Sequence, residues 1–346
     1  MSGPTTTPDA EGTEPLPLRF PARLEDRYHR FRERRARRRG LTPVVMPYTG
    51  YGSTQWIRVL SRVLLARPAA ADDVRYRKIR GWRSFTSVPV GDVTVLIGID
   101  GMEYPVTADR GGVVDEVIEV ALSPGWRTIT LRTVDSTPIE APVFIVDPKA
   151  TLGIVSDVDD TVMVTALPRP LLAAWNTFVL DEHARAPVAG MAVLFEKLVR
   201  DHPGAPVVYL STGAWNVAPT LTRFLSRHLY PPGPLLLTDW GPTHDRWFRS
   251  GRAHKEESLR RLAQEFPHLK WVLVGDDGQH DEDLYASFAA EHPDRVATIA
   301  IRQLSGGEAV LAGGRAKPGP HEANGPIRWV YAPDGAGLAD QLADLL

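Results

Sequence analysis

The sequence predicts a small all-β sandwich domain followed by an α/β domain built on a doubly wound parallel sheet. Between Val44 and Val146, short apolar runs alternate with turn residues, and this spacing is typical of an antiparallel sandwich. From Leu152 onwards, apolar strands alternate with amphipathic helices, which is typical of parallel sheets. At 346 residues the chain is long enough for both domains.

The composition is that of an ordinary globular protein, with 43% hydrophobic and 24% charged residues. A formal net charge of -2 gives no global field that would attract nucleic acid, so we predict no nucleic-acid partner. The absence of cysteine excludes disulfides, thiolate metal sites and cysteine nucleophiles. No secretory signal is visible at the N-terminus, and we expect a cytoplasmic protein, with peripheral contact to a membrane left open.

The first part of the chain divides into a tail and a basic segment. Residues 1–22 are rich in Thr, Pro, Glu and Gly without periodicity, so we predict that they are disordered. Residues 23–43 are predicted to be helical, because Leu24, Tyr28 and Phe31 form one helical stripe among many arginines. Such a helix could lie on anionic lipid, pack on the body as a solvated helix, or bind nucleic acid; the weak stripe slightly favours the second reading.

We predict that residues 44–148 form the β-sandwich domain. Asp100-Gly101 stands between two apolar runs and is a strong β-hairpin signal. The region carries no cluster of chemically reactive residues, so a structural or binding role is expected.

Residues 149–346 are predicted to form the α/β domain. After its third helix and the strand near Ile301, the stretch from Gly306 to Gly325 reads as a loop. A last strand and a short terminal helix are predicted to follow it. The other predicted strands are Ile154-Val155, Val207–Leu210, Trp271–Val274 and Val296–Ile301.

Polar clusters follow three of these strands. Asp157 and Asp159 come after the first, Ser211 follows the second, and Asp276, Asp277 and Asp281 follow the third. The carboxyl ends of parallel strands meet at one crevice, which is where such sheets bind ligands. Each cluster alone could be a helix N-cap, but three in register favour a site. Converging carboxylates predict a hard cation, most naturally Mg²⁺, and a hydroxyl at a helix mouth suits a phosphate oxygen.

Lys255 is predicted to be the counter-charge of this crevice. We expect it to open the helix that carries Leu259 and Leu262, although a cation in a first helical turn opposes the helix dipole. Lys270 adjoins the start of a strand and is expected to lie away from the crevice.

The four clusters in order resemble the motifs of the haloacid-dehalogenase superfamily: Asp157-x-Asp159-x-Thr161, then Ser211, then Lys255, then Gly275-Asp276 with Asp281. A finer resemblance is to phosphatidate phosphatases of the actin-patch type and their bacterial relatives. It is carried by Ser156 to Val162, Trp175 to Phe178, Tyr209-Leu210-Ser211, Asp239-Trp240-Gly241, His254-Lys255 and Gly275 to Asp281. The stretch from Thr212 to Trp215 is less polar than the resemblance would lead one to expect.

The resemblance implies a role for each residue. Asp157 would attack phosphorus and form an aspartyl-phosphate, and Asp159 would act as general acid and base. Ser211 and Lys255 would hold the phosphoryl oxygens. Mg²⁺ would be held by Asp157, Asp276 and the backbone carbonyl of Asp159. The residues expected to support this site or to contact the substrate are Thr161, Thr212, His254, Asp277, Asp281, Trp175 and Trp215.

A short insert near residues 163–188 suits a small cap that leaves the crevice open. Trp175 and Phe178 could line an apolar entrance together with Trp215, or could be core residues. We therefore expect an Mg²⁺-dependent phosphatase with an HAD-like sheet, acting on a phospholipid, phosphatidate above all. The alternatives are the same chemistry on a small soluble phosphomonoester, and a non-catalytic scaffold that binds membrane or protein.

Overall fold

The computed structural model describes residues 31–66, 88–164, 186–238, 244–278, 280–311 and 327–344. The predicted tail at residues 1–22 lies outside this part of the chain, as do residues 23–30 of the basic segment and 165–185 of the insert. Helix α1 covers residues 31–38, the C-terminal portion of the predicted basic helix. Among the described residues, no helix is both long and apolar enough to cross a bilayer.

The first sheet has nine strands in the order β1-β3-β2-β9-β8-β5-β6, and β4 and β7 also pair with β3. The strand pairs are antiparallel except for β2 and β9, so this sheet is mixed where a purely antiparallel one was expected. The strands are β1 Thr42–Pro47, β2 Gly50–Gly52, β3 Trp56–Ala66, β4 Val88–Pro89, β5 Thr94–Ile99, β6 Met102–Thr107, β7 Val113–Glu119, β8 Gly125–Thr133 and β9 Ile139–Ile145.

The second sheet has six strands, all parallel, in the order β12-β11-β10-β13-β14-β15. The chain runs outwards from β10 to β12 and then returns to β13 on the other side of β10, so the strand order reverses there. In open sheets of this kind the crevice beside the reversal binds ligands. The strands are β10 Leu152–Asp157, β11 Val207–Ala214, β12 Leu235–Thr238, β13 Lys270–Asp276, β14 Val296–Arg302 and β15 Arg328–Ala332.

Helices connect the strands of the second sheet. They are α2 Met191–Asp201, α3 Ala218–Arg227, α4 His244–Glu265, α5 Asp281–Glu291, α6 Gly306–Leu311 and α7 Gly335–Gln341, with short 3-10 turns at Trp215–Val217 and Pro293–Arg295. Their apolar faces pack on the sheet, where β10 is buried along its whole length. Membership of the haloacid-dehalogenase superfamily, and the domain boundaries themselves, stay predictions.

Helix α6 corrects the predicted loop after Ile301. Its start carries a reciprocal cap, in which the backbone N–H of Ser305 donates to the Glu308 carboxylate and the Glu308 N–H donates to the Ser305 hydroxyl. This Ser-x-x-Glu arrangement stabilises helix N-termini. The signal was present in the sequence, but Gly306 and Gly307 obscured it, because glycine disfavours helix.

Gly275 sets how closely α5 approaches the end of β13. A Cβ atom at this position would lie 2.7 Å from the ring of Tyr285 and 2.8 Å from the Cβ of Asp281, both on α5. Such distances are well inside van der Waals contact, and the neighbouring groups are buried. The missing side chain therefore lets Asp281 stand directly beside Asp276.

We expect Gly275→Ala to lower the free energy of unfolding by about 1–3 kcal/mol, the usual cost of overpacking a filled core. Gly307→Ala is the matched control, because nothing lies within 4 Å of a Cβ there. That variant should be neutral or slightly stabilising, since alanine suits a helix better than glycine. Urea denaturation of both variants provides the measurement, and equal stabilities would contradict the proposed close packing.

Candidate active site

The carboxyl-terminal parts of β10, β11 and β13 bring polar residues to one edge of the parallel sheet. Asp157 is the last residue of β10 and Asp276 the last of β13, and these two strands are hydrogen-bonded neighbours. Ser211 lies within β11 on the other side of β10. Strand β11 was expected to end at Leu210, but it continues to Ala214, with an irregular register between those two residues.

A buried lysine sits among the carboxylates. The Lys255 ammonium lies 2.6 Å from the Asp157 Oδ1 atom and 2.7 Å from the Asp281 Oδ1 atom. All three side chains are buried, with Asp157 and Asp281 each 4% exposed. Buried charges need such partners, because an uncompensated ion in a protein interior is very costly.

The position of Lys255 within its helix differs from the prediction. Helix α4 begins at His244, so Lys255 lies in its middle and not in the first turn. Gly251 lies within this helix and permits close packing, because a Cβ there would lie 3.0 Å from the Thr212 side chain. The argument from the helix dipole therefore does not apply, and Lys255 is held by its two carboxylate partners.

Burial and charge shift the acidity of this cluster. Burial raises the pKa of Asp157 well above its ordinary value; the Lys255 charge opposes that rise, and the nearby carboxylates, first Asp281, add to it. Burial also raises the pKa of Asp276, and the adjacent Asp281 carboxylate raises it further. For Lys255 burial favours the neutral amine, but Asp157 and Asp281 outweigh it and raise the pKa.

Three carboxylates meet where a cation would fit. Oxygen atoms of Asp157, Asp276 and Asp281 lie within 4.8 Å of one another, the one such group found among the described residues. One lysine cannot balance three carboxylates; burial and the neighbouring carboxylates raise the pKa of Asp157 and of Asp276. An all-oxygen donor set suits a hard divalent cation such as Mg²⁺. The identity of the metal stays a prediction.

The Asp159 side chain points to a different partner. Its Oδ2 atom accepts a hydrogen bond of 3.2 Å from the Ser211 hydroxyl, and that hydroxyl in turn accepts one of 3.0 Å from the backbone N–H of Gly213. Asp159 is only partly buried, so its side chain is accessible to solvent. The predicted contact between its backbone carbonyl and a metal stays a prediction.

Arg302 is a site-supporting residue that the sequence analysis missed. Its guanidinium donates to the Asp160 carbonyl at 2.7 Å and to the Glu308 carboxylate at 2.7 Å. Asp160 has a left-handed backbone, with φ of 57°, and directly follows Asp159. Arg302 therefore fixes a strained turn beside the predicted acid–base residue. The available signal was its place directly after the apolar run of β14, at the edge where the other clusters lie.

The remaining predicted residues divide into supporting and distant ones. The Thr161 hydroxyl donates to the Asp276 carboxylate at 3.4 Å, and the Asp277 carboxylate accepts from the Leu304 N–H at 2.8 Å. The Thr212 carbonyl accepts from the Thr238 hydroxyl at 2.9 Å, so this residue braces the neighbouring strand β12. Trp175 and Phe178 lie outside the described residues.

Trp215 and His254 face away from the carboxylates. Trp215 is 5% exposed and stacks on Tyr48, which lies between β1 and β2, so the prediction that it rims the entrance is wrong. Its indole fills an interface instead, which the sequence could not show because the partner lies far away along the chain. Burial lowers the pKa of His254, whose side chain lines a cavity of about 290 Å³ between the two sheets.

Comparison with known proteins places the cluster within a recognised segment. Residues 152–303 match the family described as the catalytic domain of phosphatidate phosphatase APP1. The phosphatidate phosphatase APP1 of Saccharomyces cerevisiae is 26% identical over 253 residues, which cover 68% of this chain and 41% of that protein. An uncharacterized protein of Schizosaccharomyces pombe is 28% identical over 154 residues, or 44% of this chain and 25% of that protein.

Solved structures add little to these similarities. A carbohydrate acetylesterase from Xanthomonas citri aligns over 88% of this chain and 74% of its own, at 10% identity and a TM-score of 0.31, which supports no argument. The chain spans less than half of the length of the curated relatives it matches. All members of the charged cluster lie inside the matched segment, so the similarity supports a hydrolase of the phosphatase class, similar to phosphatidate phosphatases.

Proposed function

We propose that this chain is an Mg²⁺-dependent phosphatase that hydrolyses phosphatidate through an aspartyl-phosphate. The observation that carries the proposal is the buried pair of Asp157 and Lys255, 2.6 Å apart at a sheet edge within the segment similar to a phosphatase catalytic domain. A carboxylate held beside a cation in a crevice is suited to attack a phosphoryl group, whose charge the same cation stabilises. The substrate class rests on the similarity to phosphatidate phosphatase.

In the first half-reaction, an Asp157 carboxylate oxygen attacks phosphorus. The new bond between oxygen and phosphorus forms while the bond from phosphorus to the alcohol oxygen breaks. Asp159, in its protonated form, donates its proton to the departing alkoxide, so the products are a neutral alcohol and the aspartyl-phosphate. The hydrogen bond from Ser211, which lies on the neighbouring strand β11, holds the Asp159 carboxylate in place.

In the second half-reaction, the Asp159 carboxylate removes a proton from water. The water oxygen attacks phosphorus, and the bond to Asp157 breaks, which releases inorganic phosphate and returns both side chains to their starting states. Lys255 stays within reach of the phosphoryl oxygens throughout, because it is anchored on the other side by Asp281.

Asp157 and Asp276 are the residues that would hold Mg²⁺, with Asp281 beside them. When bound, the ion would neutralise charge on the phosphoryl oxygens and lower the cost of bringing a phosphate to buried carboxylates. The intact cluster also argues against a non-catalytic scaffold, because a protein interior has no structural need for so many uncompensated acids.

The arginine-rich helix α1 is proposed to contact an anionic membrane surface. Arg34, Arg35 and Arg38 are exposed, while Ala36 is buried against the first sheet. The helix is therefore anchored through one small residue and presents its charges outwards. Each arginine near an anionic surface contributes about 1 kcal/mol, which salt screens beyond a Debye length. A cytoplasmic location stays a prediction.

We expect Asp157→Asn to lower phosphatase turnover by at least about a thousandfold, because an amide cannot act as the nucleophile. The protein should stay folded, since the substitution removes a charge that burial disfavours. Asp294→Asn is the matched control, because that side chain is 69% exposed on the 3-10 turn Pro293–Arg295. The measurement is the turnover rate of each variant on a chromogenic phosphate. A rate near that of the wild type in Asp157→Asn would exclude Asp157 as the nucleophile.

We expect Mg²⁺ to raise the Tm more at about pH 8 than at about pH 5. Because the folded protein has raised pKa values at Asp157 and Asp276, it binds protons more tightly than the unfolded chain does. Without metal, the free energy of unfolding therefore falls as the pH rises above the ordinary aspartate pKa of about 4. Mg²⁺ binds the ionised carboxylates of the folded state and offsets this loss.

The thermal-shift measurement needs no catalytic activity, so it tests the metal site by itself. Asp276→Asn should abolish most of the Mg²⁺ effect, whereas Asp294→Asn should retain it. A shift that is absent, or the same at both pH values, would count against a metal site at these carboxylates.

We expect kcat/KM to be at least about tenfold higher on phosphatidate in mixed micelles than on glycerol 3-phosphate or a hexose phosphate, an effect of about 1.4 kcal/mol. A soluble phosphate as the better substrate would favour the same chemistry on small phosphomonoesters instead.

Replacing Arg34, Arg35 and Arg38 by Gln should weaken binding to anionic vesicles and leave turnover of a chromogenic phosphate unchanged.

A further inference from the structure

Two of the contacts that the first sheet and its connections make with the α/β part of the chain lie on or directly beside elements that carry an active-site residue. One contact is made to the end of β11, which carries Ser211. The other is made to α4, which carries Lys255. Ser211 and Lys255 are the residues expected to hold the phosphoryl oxygens. Both are therefore supported by residues outside the segment that matches the phosphatase family.

The first contact joins Tyr48 to Trp215. The Tyr48 hydroxyl donates a hydrogen bond of 3.0 Å to the Trp215 carbonyl. The two rings are stacked, with centroids 4.8 Å apart and planes inclined by 17°. Both residues are buried, and the backbone N–H of Tyr48 is fixed by the Leu60 carbonyl at 3.0 Å. Tyr48 is therefore a rigid support, anchored in the first sheet, for the turn that directly follows β11.

The turn at Trp215 is connected to the reacting groups through a short path. β11 ends at Ala214, immediately before Trp215, and its Ser211 hydroxyl contacts Asp159 at 3.2 Å. The register of β11 is irregular between Leu210 and Ala214, so few ladder hydrogen bonds fix this part of the strand. Tyr48 therefore contacts the chain directly after the part of β11 that has the fewest ladder hydrogen bonds.

The second contact is a charged network. The Arg58 guanidinium lies 2.6 Å from Glu265 of α4 and 2.6 Å from Asp115 of β7. Arg261 of α4 lies 3.0 Å from the same Asp115, and the Tyr51 hydroxyl donates to Glu265 at 2.8 Å. These contacts hold α4 about two to three turns beyond Lys255, and a helix transmits position over such a distance.

We propose that the first sheet contributes to the geometry of the active site. In this proposal Tyr48 is a positioning residue, which fixes the position of Ser211 through its contact with Trp215. The kinetic part of this inference rests on the proposed phosphatase function. Without the contact from Tyr48, the Ser211 hydroxyl would vary more in position, and its hydrogen bond to Asp159 would be formed less consistently. Because small misplacements of reacting groups cost large factors in rate, kcat should fall more than KM rises.

Two variants of Tyr48 separate the two kinds of contact. Tyr48→Phe keeps the stacked ring and loses the hydroxyl, so it should lower kcat by about threefold, the effect of a modest hydrogen bond. Tyr48→Leu loses the stacking as well and should lower kcat by at least about tenfold. Trp126→Ala is the control, because that ring is 40% exposed and packs on Phe144 within the first sheet. It should leave both kcat and KM unchanged.

Hydrogen–deuterium exchange of the full chain tests the inference without activity. In Tyr48→Leu, amides of residues 211–217 should exchange at least about tenfold faster, whereas those of residues 272–276 in β13 should not change. In Trp126→Ala neither segment should change. If Tyr48→Leu fails to fold, Tyr48→Phe must show the same effect in direction.

The outcomes distinguish the two proposals. Unchanged exchange at residues 211–217 in a folded Tyr48 variant overturns the positioning role, whatever the rates show. A loss of kcat with equal acceleration of exchange throughout the chain also overturns it, because Tyr48 would then serve only stability. An inactive wild-type protein with the expected local exchange would refute the phosphatase function and leave the positioning contact standing.

Discussion

The ion pairs of Lys255 with Asp157 and Asp281 are the interaction on which the rest of the site depends. Without the ammonium, two buried carboxylates would face each other with no compensating charge inside the protein. The fold meets this requirement with a long helix that crosses behind β11 and delivers one lysine to the end of β10. The close approach of α5 at Gly275 then places Asp281 on the far side of the same ammonium.

The same arrangement separates two kinds of carboxylate chemistry. Asp157, Asp276 and Asp281 are buried and share the charge of the lysine, whereas Asp159 is partly exposed and bonded to a neutral hydroxyl. A nucleophile benefits from a dry, cationic environment, and a proton carrier benefits from contact with water. The surroundings differ because Asp157 ends β10, whereas Asp159 lies in the turn that follows, where Arg302 donates to the carbonyl of Asp160, a residue with left-handed backbone.

Much of the site could be anticipated because its residues stand directly after apolar strands. Asp157, Ser211 and Asp276 are of this kind, and parallel strands leave little choice about where their ends meet. Contacts distant along the chain were out of reach. The burial of Trp215 depends on Tyr48 in the connection between β1 and β2, and the role of Arg302 depends on a carbonyl that no side-chain pattern encodes. The start of α4 was placed at Lys255 because the apolar stripe that indicated this helix begins only at Leu259, whereas the helix itself begins at His244.

The stacked pair of Tyr48 and Trp215 also bears on how the protein unfolds. Tyr48 and buried residues of the first sheet, including Tyr51 and Leu60, belong to the same continuous apolar cluster as the core of the parallel sheet. Because this cluster spans both sheets, unfolding of either sheet would expose apolar surface of the other, and the two should unfold together. The cooperative folding unit is therefore larger than the segment recognised by similarity at residues 152–303. The segment recognised by sequence similarity and the unit that unfolds cooperatively thus have different boundaries in this chain.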